Sequence, residues 1–289
     1  MGMLKMIPML GIDNQSDETQ LARGGEEPAV FLRDAINVDI SGEGRPSMRR
    51  GLRKLSGLRL LDLLHDELHG DTFGRDAEHY LARVDLAAGT AERLHYAGDA
   101  PVSLVAQATR VIFSTAEGLL AYDGSQASAF TLQTPPAPLV TVETDGSLAA
   151  GRYAVALAWL RGDMESATSW AASATVPAAG RLRVTLPYCM DPTVDRVRLF
   201  ITDPDGARLQ EVGTFPVGTL EADIASTANL LGEPRFRHMA PMPAGLYLCA
   251  WQGRLLTARR NVLYFSEPMA MHVNDPLHGF IQMPQRITF

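Results

Sequence analysis

Along most of the chain, hydrophobic and polar residues alternate in short runs that are separated by turn residues. Between 58 and 132, runs such as EHYLARVDL, RVIFSTAEG and LLAYDG recur at spacings of about 8–12 residues, which is typical of antiparallel sheets. A period of two places one face of each strand in a core. Long runs with a helical period are nearly absent. The exception is LRLLDLLHDELHG at 58–70, whose leucines fit a short amphipathic helix equally well.

A Pro-rich segment, TPPAP at 134–138, precedes a second group of strand-like runs. GRYAVALAWL, RLRVTLP and DRVRLFITD alternate, and RGDMES and DPDG supply turn residues between them. About seven strands in about ninety residues, with Trp159 inside an alternating strand, are typical of a small β-sandwich. Further prolines at Pro234, Pro241 and Pro243 end this segment.

The two ends of the chain have different patterns. The polar, acidic segment at 11–28 has no period, which predicts an extended N-terminal arm. AINVDI and SMRRGLRKL flank the turn sequence SGEGRP and predict a hairpin at 34–55. GLYLCAWQGRLLTARRNVLYFSEP alternates again, and GFIQMPQRITF predicts a last strand that contains Phe289. The edge of such a strand must be paired, within the chain or with a neighbour.

Together these patterns predict four regions in a mostly β fold. They are an extended arm over 1–30, a hairpin with blade-like sheets over 31–135, a β-sandwich over 136–228, and returning blade-like sheets over 229–289. The sequence RVIFSTAEGLLAYDG, with two apolar strands around a Gly turn, is typical of a propeller blade. The predicted architecture is therefore a set of propeller-like antiparallel blades interrupted by a sandwich.

Composition narrows the class of protein. The 289 residues are 46% hydrophobic, and 26 basic against 33 acidic side chains give a net charge of −7, which argues against a dominantly basic nucleic-acid binder. Cys189 and Cys249 form no Cys-x-x-Cys pair, so a disulfide scaffold and a Cys-type zinc site are not expected. No run is long enough for a membrane span, and no signal peptide is recognisable. We expect a soluble protein without membrane insertion.

The motifs that suggest chemistry have simpler explanations. His65 and His69 have the spacing of a zinc-binding helix, but Asp66 stands where a zincin needs Glu, so a surface turn or strand is favoured over zinc. The integrin-type tripeptide at 161–163 and the acidic sequence at 203–206 both fit tight turns. Nucleophile elbows, phosphate-binding loops and dinucleotide fingerprints are missing from the sequence. We predict no enzymatic activity, no cofactor and no metal.

Tryptophans and scattered histidines also have a structural explanation. Trp159, Trp170 and Trp251 are expected to be core anchors, because no basic residues interleave with them as they would in a base-stacking platform. The histidines outside the His65–His69 pair lack ligand spacing and are expected at the surface or hydrogen-bonded in a core.

Two clusters are candidates for an interface with another chain. Five cations lie within ten residues and form either a solvated strand face or a basic surface for an acidic partner or nucleic acid. Methionines recur in the first ten residues, where they fit either an interface or a core. With the terminal strand, the candidate interface residues are Met3, Met6, Met9, Arg45, Arg49, Arg50, Arg53, Lys54 and Phe289.

Three stretches resemble one family. The opening GIDNQSDETQL…FLRDAINVDISGEGRPSMRRGLRKL resembles the start of tail hub or nozzle proteins of tailed bacteriophages, where an Asn-rich arm leads into a basic hairpin. WQGRLLTARRNVLYFSEPM resembles a blade hairpin of those proteins. The central GRYAVALAWLRGDMESATS…DRVRLFITDPDG…LQEVGTFP resembles the fibronectin-III-like, immunoglobulin-like domain that such phage proteins often carry.

The resemblance implies a virion structural protein that is assembled in the host cytoplasm. Such proteins form rings of identical chains, with six-fold symmetry favoured, that contact portal, adaptor and other tail proteins and let genomic DNA pass. From the net charge of −7 we expect acidic channel walls that repel phosphate. Once the sandwich is subtracted, the remaining residues are too few for a complete propeller. The alternatives are a peripheral tail or receptor-binding protein and a carbohydrate-binding protein built from blades and a sandwich.

Overall fold

Strands dominate the fold in a computed structural model of the chain. The structure describes residues 8–13, 15–23, 29–34, 36, 38–41, 45–49, 57–107, 109–177 and 179–288. Strands make up 51% of the described residues, which confirms the mostly β prediction, and the sheets of these residues form no closed barrel. In these ranges no helix has the length and apolar character to cross a membrane. The chain divides into two compact units, Met1–Leu55 and Ser56–Phe289.

The first unit contains a small sheet where the sequence predicts an extended arm. Its elements are β1 (Met9–Ile12), a 3-10 turn (Glu18–Gln20), β2 (Ala22–Arg23) and β3 (Ala29–Leu32). The central strand β3 runs parallel to β1 and antiparallel to β2. The apolar sequence MLGI forms β1 at one edge of this sheet, and the apolar sequence AVFL forms the central strand β3. The Asp13 carboxylate accepts the N–H groups of Gln15 and Ser16, and these bonds, with the one from the Ser16 hydroxyl, lower the pKa of Asp13.

The basic segment of the first unit contains the antiparallel pairing that its alternation predicts. Strand β4 (Val38–Ile40) pairs with β5 (Pro46–Met48). The Ser41 N–H donates to the carbonyl of Arg45 at 3.0 Å beyond the last paired residues.

The second unit begins with two four-stranded antiparallel sheets in which each strand pairs with the next. Sheet I contains β6 (Leu60–His65), β7 (Thr72–Asp76), β8 (Tyr80–Asp85) and β9 (Thr90–Tyr96). Sheet II contains β10 (Ser103–Gln107), β11 (Arg110–Ser114), β12 (Leu119–Tyr122) and β13 (Ala127–Ala129). The ambiguous sequence LRLLDLLHDELHG forms β6 and a turn. The Asp66 carboxylate accepts the N–H groups of Leu68 and His69 there, which ends the strand.

Residues 139–224 form two further sheets that enclose one core. The strands are β14 (Leu139–Leu148), β15 (Gly151–Arg161), β16 (Met164–Glu165), β17 (Ala172–Val176), β18 (Gly180–Thr185), β19 (Arg196–Thr202), β20 (Leu209–Pro216) and β21 (Glu221–Ile224). One sheet has the order β14-β18-β21, and the other has the order β16-β15-β19-β20 with β17 also paired to β15. Trp159, Leu182, Leu199 and Ile224 are buried between them.

The chain then returns to a four-stranded antiparallel sheet, sheet III. The last elements are β22 (Ala240–Pro241), β23 (Tyr247–Trp251), β24 (Arg254–Arg259), β25 (Val262–Phe265), β26 (Val273–Asn274) and β27 (Phe280–Gln282). Sheet III has the order β23-β24-β25-β27, while β22 and β26 form a separate pair.

Sheets I, II and III are stacked face to face, with sheet II in the middle. Val111 and Phe113 of β11 pack with Phe73 of sheet I in one core. Ile112, the residue between them, packs with Leu255 of sheet III in another. The side chains of β12 alternate in the same way. Leu120 and Tyr122 point toward sheet I, and Leu119 and Ala121 point toward sheet III. Because successive side chains of a strand point to opposite faces, sheet II is buried on both.

Candidate assembly surfaces

Sheets I and III each have one face that points away from sheet II, which we call the outer face. On sheet I, the register pairs Leu63 with Gly74 and Gly74 with Ala82, so these residues share the face opposite Phe73. Tyr80 and Tyr96 pair on the same face, and their rings lie edge to face with centroids 5.4 Å apart.

The outer face of sheet I combines exposed apolar side chains with Arg93, whose charge is paired within the sheet. Leu63 is 59% exposed and Tyr96 is 43% exposed. The Arg93 guanidinium lies over the Tyr80 ring, 4.8 Å from its centroid, and donates to the carboxylates of Asp76 and Glu78. None of the core clusters of the described residues includes a side chain of this face.

The outer face of sheet III is more apolar and more aromatic. Cys249, Leu256 and Phe265 form one cross-strand row, and Leu263 pairs with Ile281 in the next. Trp251, two residues after Cys249, lies on the same face and is 60% exposed, while Ile281 is 49% exposed. Within the described ranges, this face also contributes nothing to the core clusters. The stack therefore ends on an apolar surface at both ends.

Charge distinguishes the two ends of the stack. The segment 57–97, which contains sheet I, has eight acidic and four basic side chains, a net charge of −4. The segment 245–288, which contains sheet III, has two acidic and four basic side chains, a net charge of +2. The two ends therefore have opposite charge, although the whole chain is acidic.

Three of the predicted interface residues lie in described parts of the chain. Met9 is half-buried in β1, and Arg45 and Arg49 are exposed beside β5. Arg49 donates from Nε to Asp39 Oδ1 at 2.9 Å, so one of these cations is paired within its own hairpin. Arg45 and Arg49 flank β5 on either side. The other predicted residues, Met3, Met6, Arg50, Arg53, Lys54 and Phe289, lie outside the described residues.

Of the three tryptophans predicted to be core anchors, only Trp159 is in a core, where it is 4% exposed. Trp170 is 81% exposed, because it lies in the irregular connection between β16 and β17 and not in an alternating strand. Trp251 is exposed because it belongs to the outer face of sheet III. The prediction is wrong for Trp170 and Trp251.

Trp170 lines a cavity with a volume of about 640 Å³. Its wall is mainly apolar and consists of Thr134, Thr168, Ser169, Trp170, Ala171, Leu209, Arg237, His238, Met239, Ala240, Pro276 and Leu277. The Arg237 guanidinium donates to the carbonyl of Ala207 at 3.0 Å, and the Oγ of Ser169 accepts the N–H of Leu157 at 2.9 Å. The sequence did not predict this cavity, because its residues come from five separate segments.

The sequence motifs that suggested chemistry form local turns. Nδ1 of His65 lies 3.0 Å from the Thr72 hydroxyl, and the His69 ring pairs with the Asp66 carboxylate. Across the described ranges, no three His, Cys, Asp or Glu side chains are grouped to hold a metal ion.

The other two motifs are also held by bonds within the chain. Arg161 donates to the carbonyl of Ala129 at 2.6 Å and to Asp191 at 3.1 Å, so its guanidinium is engaged within the protein. The N–H of Asp205 donates to the carbonyl of Arg152 at 2.8 Å, and Asp205 Oδ1 accepts the N–H of Arg152. No protein-family model matches the chain, and no curated protein matches it either.

Proposed function

We propose that the chain is a structural subunit of a tailed-bacteriophage tail, forming part of a hub, nozzle or portal-proximal ring that shapes the DNA channel. The observation that carries this proposal is the stack of sheets I, II and III. Four-stranded antiparallel sheets packed face to face are the units of a propeller, and closed propellers have roughly 4–8 of them. Three such sheets end on apolar faces, as expected of a subunit completed by neighbours.

The inserted sheets support the same proposal. Residues 139–224 enclose a core around Trp159 and lie between sheets II and III in the sequence. We interpret them as the fibronectin-III-like domain that the resemblance implies. The stack then corresponds to the propeller-like blades over 31–135 and 229–289.

The proposed mechanism is geometric and electrostatic, without a chemical step. Identical chains in head-to-tail contact close into a ring, with six-fold symmetry favoured by the resemblance. Portal, adaptor and other tail proteins bind above and below, and an acidic channel wall repels the passing DNA. The basic segment with Arg45 and Arg49 is the candidate contact for an acidic neighbour.

The experiment that tests this proposal is localisation in the particle. Tails of the phage that encodes the chain are purified, and the copy number of the chain is measured by quantitative mass spectrometry and its position by antibody labelling in the electron microscope. We expect a fixed number of copies per tail at one position. Tails that lack the chain would refute the proposal.

One observation favours a second function, carbohydrate binding. The exposed ring of Trp170 beside the cavity of about 640 Å³ offers an apolar platform with an N–H donor, which suits a sugar ring. This site fits the peripheral, receptor-binding alternative. A glycan array with the native protein tests it, with Trp170→Ala expected to abolish binding and Trp251→Ala to preserve it. A protein that binds no glycan on such an array would exclude this second function.

A further inference from the structure

We propose that the outer face of sheet III of one copy docks on the outer face of sheet I of the next copy, so that the stack of sheets continues across chains. This inference rests on the proposed function, because it names the surface by which the subunits of the ring meet. The occupant of each face is a second copy of this chain.

Sheet II shows what an inner sheet of this protein requires. Its strands are apolar at successive positions, Val111, Ile112 and Phe113, and both faces are buried against a neighbouring sheet. Sheets I and III have the same four-stranded antiparallel order, but only one face of each contributes side chains to the core clusters of the described residues. When sheet III of one copy packs on sheet I of the next copy, each of these two sheets has a neighbouring sheet on both faces, as sheet II already has.

The outer faces have the composition of surfaces that become buried. Trp251 and Ile281 on sheet III, and Leu63 and Tyr96 on sheet I, are between 43% and 60% exposed. Aromatic and aliphatic groups of this kind form the centres of protein interfaces. Contiguous apolar surface on a folded chain indicates an interaction site.

Charge selects which face meets which. Two sheet I ends, each with a segment charge of −4, repel one another, and so do two sheet III ends with +2. The mixed contact joins opposite charges. The Arg254 side chain lies on the outer face of sheet III, where it pairs across the strands with Trp251, and Glu78 is exposed beside the outer face of sheet I. The contact is therefore heterologous, and a heterologous contact that closes on itself forms a ring.

The native Cys249 makes this pairing testable, because it is exposed on the outer face of sheet III. The test protein carries Cys189→Ala, which removes the other thiol, and Leu63→Cys on the outer face of sheet I. A short bis-maleimide is added to the assembled protein, and the products are separated on a denaturing gel. We expect a ladder of covalent oligomers that ends at the full ring.

Two control proteins test whether the ladder reports contact between the outer faces of sheets III and I. The Cys189→Ala protein alone has one thiol per copy and is expected to give no crosslink. The Cys189→Ala/Leu220→Cys protein places the second thiol at a position that is 76% exposed on the inserted sheets, and no ladder is expected. A dimer crosslinked through Cys249 alone would overturn the proposal, because it would show two sheet III faces in contact.

A measurement on the unmodified protein covers the case in which Leu63→Cys does not fold. The reactivity of Cys249 toward a thiol reagent is expected to fall several-fold when the protein assembles and to recover in high salt, where the charge attraction is screened. A ring in which Cys249 stays fully reactive and the Leu63→Cys ladder is absent would refute the face pairing while leaving the proposed function intact. A chain that is absent from phage tails would refute the function itself.

Discussion

The backbone carbonyl of Glu165 accepts a hydrogen bond from Nε2 of His272 at 2.8 Å, although the two residues are 107 positions apart. Glu165 is 1% exposed, its carboxylate pairs with Arg198, and Oε1 accepts the N–H of Arg235 at 3.0 Å. The N–H of Thr168 donates to the carbonyl of Phe236 nearby, at 3.0 Å. The segment from Glu165, the last residue of β16, to Thr168 thus joins the inserted sheets to the residues that precede and surround sheet III.

The bonds of Glu165, Thr168 and His272 form a junction between the inserted sheets and the residues around sheet III. Replacing Glu165 is expected to weaken this junction strongly. Glu165→Ala removes the closer of the two carboxylates beside the partly buried Arg198 guanidinium and leaves only Glu211, at 3.4 Å. Loss of one member of a buried ion pair costs about 3–5 kcal/mol. The matched control is Glu233→Ala, whose carboxylate pairs with Arg208 at the surface and is 53% exposed. There the free energy of unfolding, measured by urea denaturation, is expected to change by less than about 1 kcal/mol. Equal losses for the two variants would contradict the role of Glu165.

The same junction predicts a dependence of stability on pH. Burial lowers the pKa of His272 below its usual value of about 6.5, and the charges of Arg235 and Arg161 lower it further, against the bond to Glu165. The unfolded chain therefore binds the proton first as the pH falls. The contribution of His272 is complete above about pH 6.5 and is lost as the pH falls toward the lowered pKa.

The measurement is the free energy of unfolding between pH 5 and pH 8, a window of about 1.5 units on each side of the usual histidine pKa. His272→Gln is expected to flatten the curve, because glutamine does not titrate. His95→Gln, at a half-buried position of sheet I away from Glu165 and His272, serves as the control substitution. A slope that survives in His272→Gln would assign the pH dependence to other groups.

Two tryptophans give a second matched pair of variants. Trp159→Ala removes a ring from the core of the inserted sheets and is expected to lower the free energy of unfolding by about 3–5 kcal/mol. Trp170→Ala is expected to change it by about 0.5 kcal/mol or less, because the side chain is 81% exposed. Urea denaturation of both variants checks this, and a large loss for Trp170→Ala would mean that its ring is buried.

The strands were predictable where bulky apolar residues alternate with small or polar ones between turn residues. Trp159 in β15 and the antiparallel pairing of β4 with β5 follow directly from such patterns. The leucines of β6 were ambiguous, since four apolar positions in six residues fit a helix or a strand. The strands of the N-terminal sheet were missed because they have two to four residues each and β1 pairs with β3 in parallel.

The candidate surfaces depend on contacts between distant segments and were harder to predict. Cys249, Leu256 and Phe265 become neighbours only through the register of three strands. The exposure of Trp170 depends on an irregular connection that has no period. The bond between Glu165 and His272 joins two positions whose local sequences give no sign of contact. The interface residues that the sequence singled out lie mainly outside the described ranges and remain a prediction.

The mass of the native protein in solution tests the central claim most directly. Light scattering on the purified protein, followed by electron microscopy of the same fraction, is expected to give a closed ring whose mass is an integer multiple of 31.4 kDa. Assembly only after portal or adaptor proteins are added would also agree with the account. A monomer of 31.4 kDa that ignores those partners would contradict it.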